Sequence, residues 1–379
     1  MAHNVNWEAL KDYCKRLIMT QGVPEDEAEI VADCLVDADL CGVESHGVSR
    51  MTIYLKRLET KVVNAKYEKK YDSEYPASIC WNGCNSMGMV TGVNAMQACI
   101  DKAKEVGCCF VAVNNSNHFG MASYYAKMAA EQGMFTICGT NVPPNIAPTG
   151  SYKAYVGTNP WAMAAPTNGE PVLLDMAPSL VAMGKVILAA KLGKPIPEGW
   201  AQTADGRPTT DPNEGMKGTV LPIGGPKGYG LSLFMDIMCG ILSGAQFGPH
   251  LNNMWNDFTN PQNVGHVFLC VDISKFVPLD VFKTRLEQMK SEIKALPTNP
   301  GVSEIFMPGE IEQRRRAQRK AEGIEQGGEG CKFGKLRGQQ GQDGQTDQHL
   351  GDEEAQCADD PCGDDALFPV AQGVHKQNN

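Results

Sequence analysis

A chain of 379 residues with 42% hydrophobic and 21% charged side chains is long enough for two domains and a sizeable core. Its net charge of −10 is unevenly spread, because residues 325–379 hold 11 acidic against 4 basic side chains and leave the body nearly neutral. No basic stripe runs along that body, which excludes nucleic acid as a partner. The opening MAHNVNWEALKDY lacks the apolar core of a secretory signal. The most apolar stretch, Tyr229 to Phe247, carries Asp236 and several Gly and Ser residues, which suits a buried helix and not a membrane span. Of the 14 cysteines, Cys34, Cys99, Cys108, Cys109, Cys138, Cys239 and Cys270 sit in apolar runs. They read as reduced, buried thiols of a cytoplasmic protein, and no Cys/His cluster has metal-ligand spacing.

In chain order, Trp7, Leu10, Tyr13, Cys14, Leu17 and Ile18 recur at helical spacing, and Gly22 stops that helix. Pro24 followed by Glu25, Asp26 and Glu27 starts a second, which Gly42 ends. A third helix is predicted from Glu44 or Ser45 to about Glu59. Residues 67–85 are turn-rich, with a domain change near Glu74–Pro76. Then helices and buried strands alternate. Gly92–Val106, Met121–Gln132 and Ala177–Lys191 read as helices. Cys108–Val113, Met134–Cys138 and Val172–Leu174 read as strands. Residues 193–226 read as loop, Gly228–Ser243 as a buried helix, Val264–Ile273 as a strand and Leu279–Ala295 as an amphipathic helix. From Glu325 onward, Gly, Gln and Asp crowd out apolar periodicity, and the segment reads as disordered.

Three segments can carry chemistry. In ESHGVSRMTIYLKRL, residues 44–58, helical spacing puts His46, Arg50 and Tyr54 on one face, with Val48, Met51, Leu55 and Leu58 on the other. Arginine binds a carboxylate with two parallel hydrogen bonds, and histidine moves a proton near neutral pH. Reduction of a 2-oxo acid needs both. Ser45 can orient the ring or cap the helix. A solvated polar helix face would show the same spacing. The second segment, NNSNHFG (residues 114–120), follows a strand and precedes a helix, where α/β sheets bind ligands. His118 is there an acid/base or a turn histidine, and Gly120 permits close backbone approach. The third is a set of loops: GTNP (residues 157–160), DMA (residues 175–177) and GGPKGYG (residues 224–230). The last places Lys227 and backbone N–H groups at a helix start, a natural anion site, though turn chemistry alone explains such loops equally well. Neither G-x-G-x-x-G nor G-x-x-x-x-G-K-[ST] occurs, which argues against a Rossmann site and a P-loop.

Together these segments resemble the malate/L-lactate dehydrogenase family, which includes sulfolactate and ureidoglycolate dehydrogenases and 2,3-diketogulonate reductase. The matching pieces are S-H-G-V-S-R-M with Tyr54, N-S-N-H-F-G, G-T-N-P, L-D-M-A-x-S with Gly184-Lys185, I-P-x-G-W-A, G-x-P-T-x-D-P, G-x-K-G-Y-G-L and M-P-G-E, in order over about residues 5–324. The resemblance implies an α/β fold with a mixed sheet, the malate/L-sulfolactate dehydrogenase-like fold. Its non-Rossmann nicotinamide-binding domain (residues 76–225) would face a helical domain built from both chain ends (residues 1–75 with 226–324). It also implies a homodimer, a small 2-oxo/2-hydroxy acid substrate, and NAD or NADP as cofactor. By position it assigns Ser45, His46 and His118 to proton transfer, and Arg50, Tyr54 and Thr158 to the substrate. Cofactor contacts fall on His118, Phe119, Gly120, Thr140, Asn141, Asp175, Met176, Ala177, Lys227, Gly228, Pro308, Gly309 and Glu310. Family members differ over which histidine is credited, so both stand. Two departures matter. The chain turns into the Gly/Gln/Asp-rich tail where the family has a short apolar ending. The stretch AAKLGK lacks the Asp of imine-reducing relatives, which argues against an imine substrate. The rival readings are a ureidoglycolate or sulfolactate dehydrogenase, and a catalytically silent NAD(P)-binding regulatory protein.

Overall fold

The computed structural model describes residues 3–326. The strands are β1 (His3–Val5), β2 (Lys70–Tyr75), β3 (Ser78–Asn82), β4 (Cys108–Ser116), β5 (Met134–Thr140), β6 (Trp161–Ala165), β7 (Val172–Met176), β8 (Ala201–Gln202), β9 (Pro208–Thr209), β10 (Thr219–Val220), β11 (Val264–Asp272) and β12 (Ile324–Gln326). The helices are α1 (Trp7–Met19), α2 (Glu25–Cys41), α3 (Met51–Glu59), α4 (Gly88–Val106), α5 (Ala122–Glu131), α6 (Met183–Lys191), α7 (Pro212–Lys217), α8 (Pro226–Asp236), α9 (Leu279–Lys294) and α10 (Glu310–Glu322).

A mixed seven-stranded sheet, in the order β2-β3-β4-β11-β5-β6-β7, organises the molecule. Only β3 and β4 run parallel, joined through the crossover helix α4; the other pairs are antiparallel. The apolar run in β4 follows from burial on both faces. Val111 and Val113 join the core under α4 and α5, while Ala112 packs with Met235, Cys239 and Val267 on the other side. Cys108 departs from its expected burial. It opens β4 at the rim and is exposed, whereas the six other cysteines predicted to be buried are buried. The segment after α8 widens into a π-helical turn, Ile237–Leu242, pressed so closely on β11 that a Cβ on Gly265 would lie 1.6 Å from the Cys239 carbonyl oxygen.

A helical layer of α1, α2, α3 and α10 covers the α4 side. Helix α2 is buried nearly all round, so its two inward acids need partners: Asp37 pairs with Arg316 at 2.6 Å, and Asp39 accepts from the Val48 N–H at 3.0 Å. The two ends of the described residues meet where β1 pairs with β12. Helix α10 and strand β12, which extends order through Gln326, have no clear apolar period in the sequence. The stretch 226–324 supplies β11 at the centre of the sheet. The rest of the segment expected to be a disordered tail lies outside the described residues. A third, small core (Ile146, Val156, Val186, Ile196, Ala201 and Val220) gathers α6, α7 and the β8–β10 sheet, in a region expected to be mostly loop. Helix α6 starts at Met183 and not at Ala177, because residues 178–180 bond along residues 221–223. No described helix is long and apolar enough to cross a membrane, and the described residues hold no cluster of three or more metal-ligating side chains.

Candidate active site

The predicted helix over residues 44–59 is broken. Two single 3₁₀ turns, Glu44–His46 and Val48–Arg50, flank Gly47, and only then does α3 begin. The cause is close packing on α2, since a Cβ on Gly47 would lie 1.7 Å from Asp39 Oδ1. The break does not scatter the predicted residues. Tyr54 Oη lies 2.7 Å from His118 Nδ1, and the His46 and His118 rings stack at 5.6 Å between centroids. Ser45 Oγ lies 3.0 Å from His46 Nδ1. Arg50 donates from Nε to the Ser45 carbonyl oxygen, and its guanidinium lies 4.4 Å over the Trp255 ring.

His118 enters from the loop after β4. Asn115 takes the left-handed region at φ +48° and bulges β4 one residue before its end, at Ser116. A Cβ on Gly88 would lie 2.0 Å from the Asn117 carbonyl oxygen, so glycine lets the start of α4 seat this loop. Gln262 Oε1 accepts from the His118 N–H at 3.0 Å. The Gly120 N–H donates to His118 Nδ1 at 3.3 Å. A backbone N–H can only donate, so Nδ1 accepts and the neutral ring carries its proton on Nε2. Burial pushes the His118 imidazole well below its usual range, and His46, Arg50 and His266 add to the shift. Burial, then Arg50, lowers His46 to about 4. Both rings are neutral at pH 7. Burial also raises the Tyr54 phenol.

Phe119 stacks on His266 at 4.4 Å and 2° between ring planes. His266 is fully buried and bonds Thr140 Oγ1 at 2.8 Å and Ser116 Oγ at 2.9 Å. The sequence reading missed His266, Gln262 and Trp255. An imidazole inside the apolar strand Val264–Asp272 was the one available signal for the first.

The residues assigned to a cofactor divide into two groups. Thr140 and Asn141 are buried and committed to the scaffold. Thr140 donates to the Gly265 carbonyl oxygen at 3.0 Å, and Asn141 bonds Asp236, the Gln246 carbonyl oxygen and the Gly265 N–H. Apart from His118, Phe119 and Gly120 on the loop after β4, the others gather along β7 and its exit. Asp175 accepts from the Ser123 N–H at 2.7 Å and so caps α5, which starts just after Gly120. Although Asp175 is exposed at the surface, desolvation of its carboxyl raises it against the Ser123 bonds. Half-buried Met176 and Ala177 lead to Pro178, whose carbonyl oxygen accepts from the Ile223 N–H at 3.0 Å. That bond brings in the turn before Lys227, where Gly224 and Gly225 sit at φ +57° and +60°. No side chain caps the start of α8; Lys227 there is exposed and Gly228 buried. The N–H groups of Gly225, Lys227 and Gly228 already reach backbone carbonyl oxygens, so what the turn offers a phosphate is the exposed Lys227 ammonium beside two glycines. At the start of β7, Pro308 accepts from the Leu173 N–H at 3.1 Å, and Gly309 takes φ +84° against Leu173. Glu310 bonds Lys294, the Met307 N–H and Arg314, which, against its burial, hold its carboxyl down at about 2. A cavity of about 370 Å³ opens beside them, lined also by Glu170, Glu287 and Lys290. Thr158 is half-buried between Gly157 and Asn159, away from any contact with the His118 cluster among the described hydrogen bonds.

A family model described as malate/L-lactate dehydrogenase matches residues 5–328. The chain is 43% identical to the malate dehydrogenase of Pyrococcus abyssi over 313 residues, 80% of this chain and 85% of that one. It is 32% identical to the ureidoglycolate dehydrogenase (NAD(+)) of Escherichia coli O157:H7 over 322 residues, 85% of this chain and 92% of that one. Among solved structures, the sulfolactate dehydrogenase of Methanocaldococcus jannaschii superposes with a TM-score of 0.82 at 38% identity, covering 86% of this chain and 94% of that one.

Proposed function

Because this chain belongs to the malate/L-lactate dehydrogenase family, whose members are oxidoreductases acting on hydroxy acids, we propose that it interconverts a small 2-hydroxy acid, malate or L-lactate foremost, with its 2-oxo acid. The observation that carries this reading is the meeting of Tyr54, His46 and His118 beside Arg50. Relatives are named for NAD(+) and for NADP(+), and a nicotinamide cofactor, when bound, supplies the hydride chemistry. The chain's fit to it rests on the exposed glycine turn before α8 and its Lys227 ammonium, which would hold the phosphates. Asp175 to Ala177 would line the path, and the cavity at Pro308–Glu310 would take the far end of the dinucleotide.

The residues present divide the work. Arg50 holds the substrate carboxylate. That anion cancels the positive charge that helps depress both histidines, so substrate binding itself shifts His118 toward taking a proton. Once protonated, His118 faces the 2-oxo oxygen with Nε2 and delivers that proton as the carbonyl is reduced, which leaves the neutral ring with its remaining proton on Nδ1, donated to Tyr54 Oη. In the reverse direction Nε2 of that tautomer receives the hydroxyl proton. The Tyr54 hydroxyl both donates and accepts, so it follows His118 Nδ1 through either state. This gives Tyr54, which the resemblance assigns to the substrate, an orienting role on the histidine as well. His46, with Ser45 on its Nδ1, covers the other face of the His118 ring.

A spectrophotometric screen of NADH and NADPH oxidation with oxaloacetate, pyruvate, sulfopyruvate and oxalurate tests the reading. Turnover of oxaloacetate or pyruvate is expected. Preference for sulfopyruvate or oxalurate would move the substrate to the sulfolactate or ureidoglycolate type. Cofactor binding without turnover of any would leave a silent binding protein. The exposed apolar face of α8 and the turn after it, with Leu231, Phe234, Ile241 and Leu242, fits a second copy of the chain. Sedimentation should then give twice the 41.0 kDa chain mass. The free thiols suit the reducing cytoplasm as its location.

A further inference from the structure

Three residues along α3 from Tyr54, on the same helix face, Arg57 is 2% exposed. Its Nη1 donates to the Met254 carbonyl oxygen at 3.3 Å and to that of Asp257 at 2.8 Å. Its Nε and Nη2 are sealed from the surface, and no described protein group accepts from them. Asn117, the residue before His118, is 4% exposed. Its Nδ2 donates to Asn85 Oδ1 at 3.0 Å and to the Ser86 carbonyl oxygen at 2.9 Å, which fixes the amide's orientation. Its Oδ1 is likewise buried without a described donor. Both residues line one cavity of about 10 Å³, together with Tyr54, His118 and Gln262.

Unpaired buried donors and an unpaired buried acceptor each cost free energy comparable to a lost hydrogen bond. Here both residues line the same space, and the space holds one water-sized sphere. A water molecule accepts from the guanidinium and donates to the amide oxygen, so it satisfies both sides at once. A simple anion would satisfy Arg57 but meet the Asn117 oxygen with repulsion. We infer that one ordered water in this cavity pins Asn117 to Arg57, which makes both of them positioning residues for His118. Helix α3 then holds the catalytic loop at two points: Tyr54 on the His118 ring, and Arg57, through the water, on the preceding residue. The inference rests on the reading of His118 as the proton-transfer group.

A high-resolution crystal structure of the full chain with its cofactor tests the site directly. One oxygen peak within about 3 Å of Arg57 Nε or Nη2 and of Asn117 Oδ1 is expected. An empty cavity, or an anomalous peak there after a bromide soak, overturns the pin. The kinetic test is a cycle of R57M, N117A and the double variant. Each single change should lower kcat about tenfold, and the double variant by little more, because each breaks the same link. Losses that multiply to about a hundredfold overturn the coupling. R57K should fall between wild type and R57M, since one ammonium cannot serve both the two carbonyls and the water. NMR of the His118 imidazole separates the two ideas. A resonance shifted in R57M with kcat unchanged keeps the pin and removes His118 from the proton step. An unmoved resonance removes the pin. Should R57M fail to fold, the wild-type density decides alone.

Discussion

His118 and His266 occupy neighbouring positions and lead different lives. Both are neutral at pH 7 because burial disfavours the imidazolium; His266 is lowered to about 3 and His118 well below its usual range. Phe119 separates them, following one in sequence and stacking on the other. The difference lies in the ring nitrogens. His266 spends both, one on Thr140 and one on Ser116, tying β11 to β5 and β4. His118 spends only Nδ1, on Tyr54 and the Gly120 N–H, and among the described residues no protein group bonds its Nε2. Burial alone therefore does not distinguish the two rings. What singles out His118 for the proposed proton step is a ring nitrogen that no described group takes up.

Exchanging the roles of the two rings would break that comparison most sharply. H118Q should cost at least about 100-fold in kcat with little loss of melting temperature. H266Q should do the opposite, losing stability and keeping most of kcat per folded molecule. Near-normal turnover in H118Q would hand the proton step to His46. The next largest effect falls on the anchor. R50K keeps the charge but loses the planar fork, so KM for the 2-oxo acid should rise about 10- to 100-fold while cofactor affinity holds. An unchanged KM would place the substrate carboxylate elsewhere.

The sequence made His118 visible because a polar motif interrupts an apolar strand–helix alternation, and that alternation is a pattern of burial. His46, Arg50 and Tyr54 were found by a spacing argument that the structure only half supports. Residues 44–50 are not α-helical, because Gly47 lets the chain press on Asp39, and such a contact leaves no period in the sequence. Arg57, Gln262 and Trp255 were illegible for another reason. Each acts through a partner far along the chain, at Met254, His118 and Arg50 respectively, and no local pattern reports such pairing. The mixed sheet order was beyond periodicity as well, since β11 inserts between β4 and β5 after a long excursion. Helix α10 escaped because its surface is mostly polar and its anchors are ion pairs, such as Arg316 with Asp37, in place of an apolar stripe.

A third, smaller effect separates the histidines by pH. The unfolded chain titrates its histidines near 6.5. The folded chain keeps His266 neutral down to about 3 and His46 to about 4. Between pH 6.5 and those values the unfolded state binds protons that the folded state refuses, so stability falls as the solution is acidified through this window. The fully buried His266 should contribute a few kcal/mol, and His118, also held well below its usual range, adds to the fall. The half-buried His46 counts for less. Urea midpoints at pH 7 and pH 4.5 measure the fall. H266Q should start less stable and lose less on acidification; an equal fall in both proteins would place the acid sensitivity elsewhere.

Smallest of all should be the effect at Lys227, because this ammonium is exposed and solvent screens it. Unlike the two buried rings, it works at a distance from the proton and through charge alone. If it faces the cofactor phosphates at the uncapped start of α8, K227A should weaken NADH or NADPH binding about threefold to tenfold at low salt and leave kcat untouched. Fluorescence titration at low and high ionic strength supplies the check. Wild-type affinity should drop as salt rises, and the variant's should drop less, so the two curves converge. Parallel curves would mean that the phosphates lie elsewhere. The start of α6, where Gly184 and Lys185 also follow an uncapped turn, would then be the next place to look.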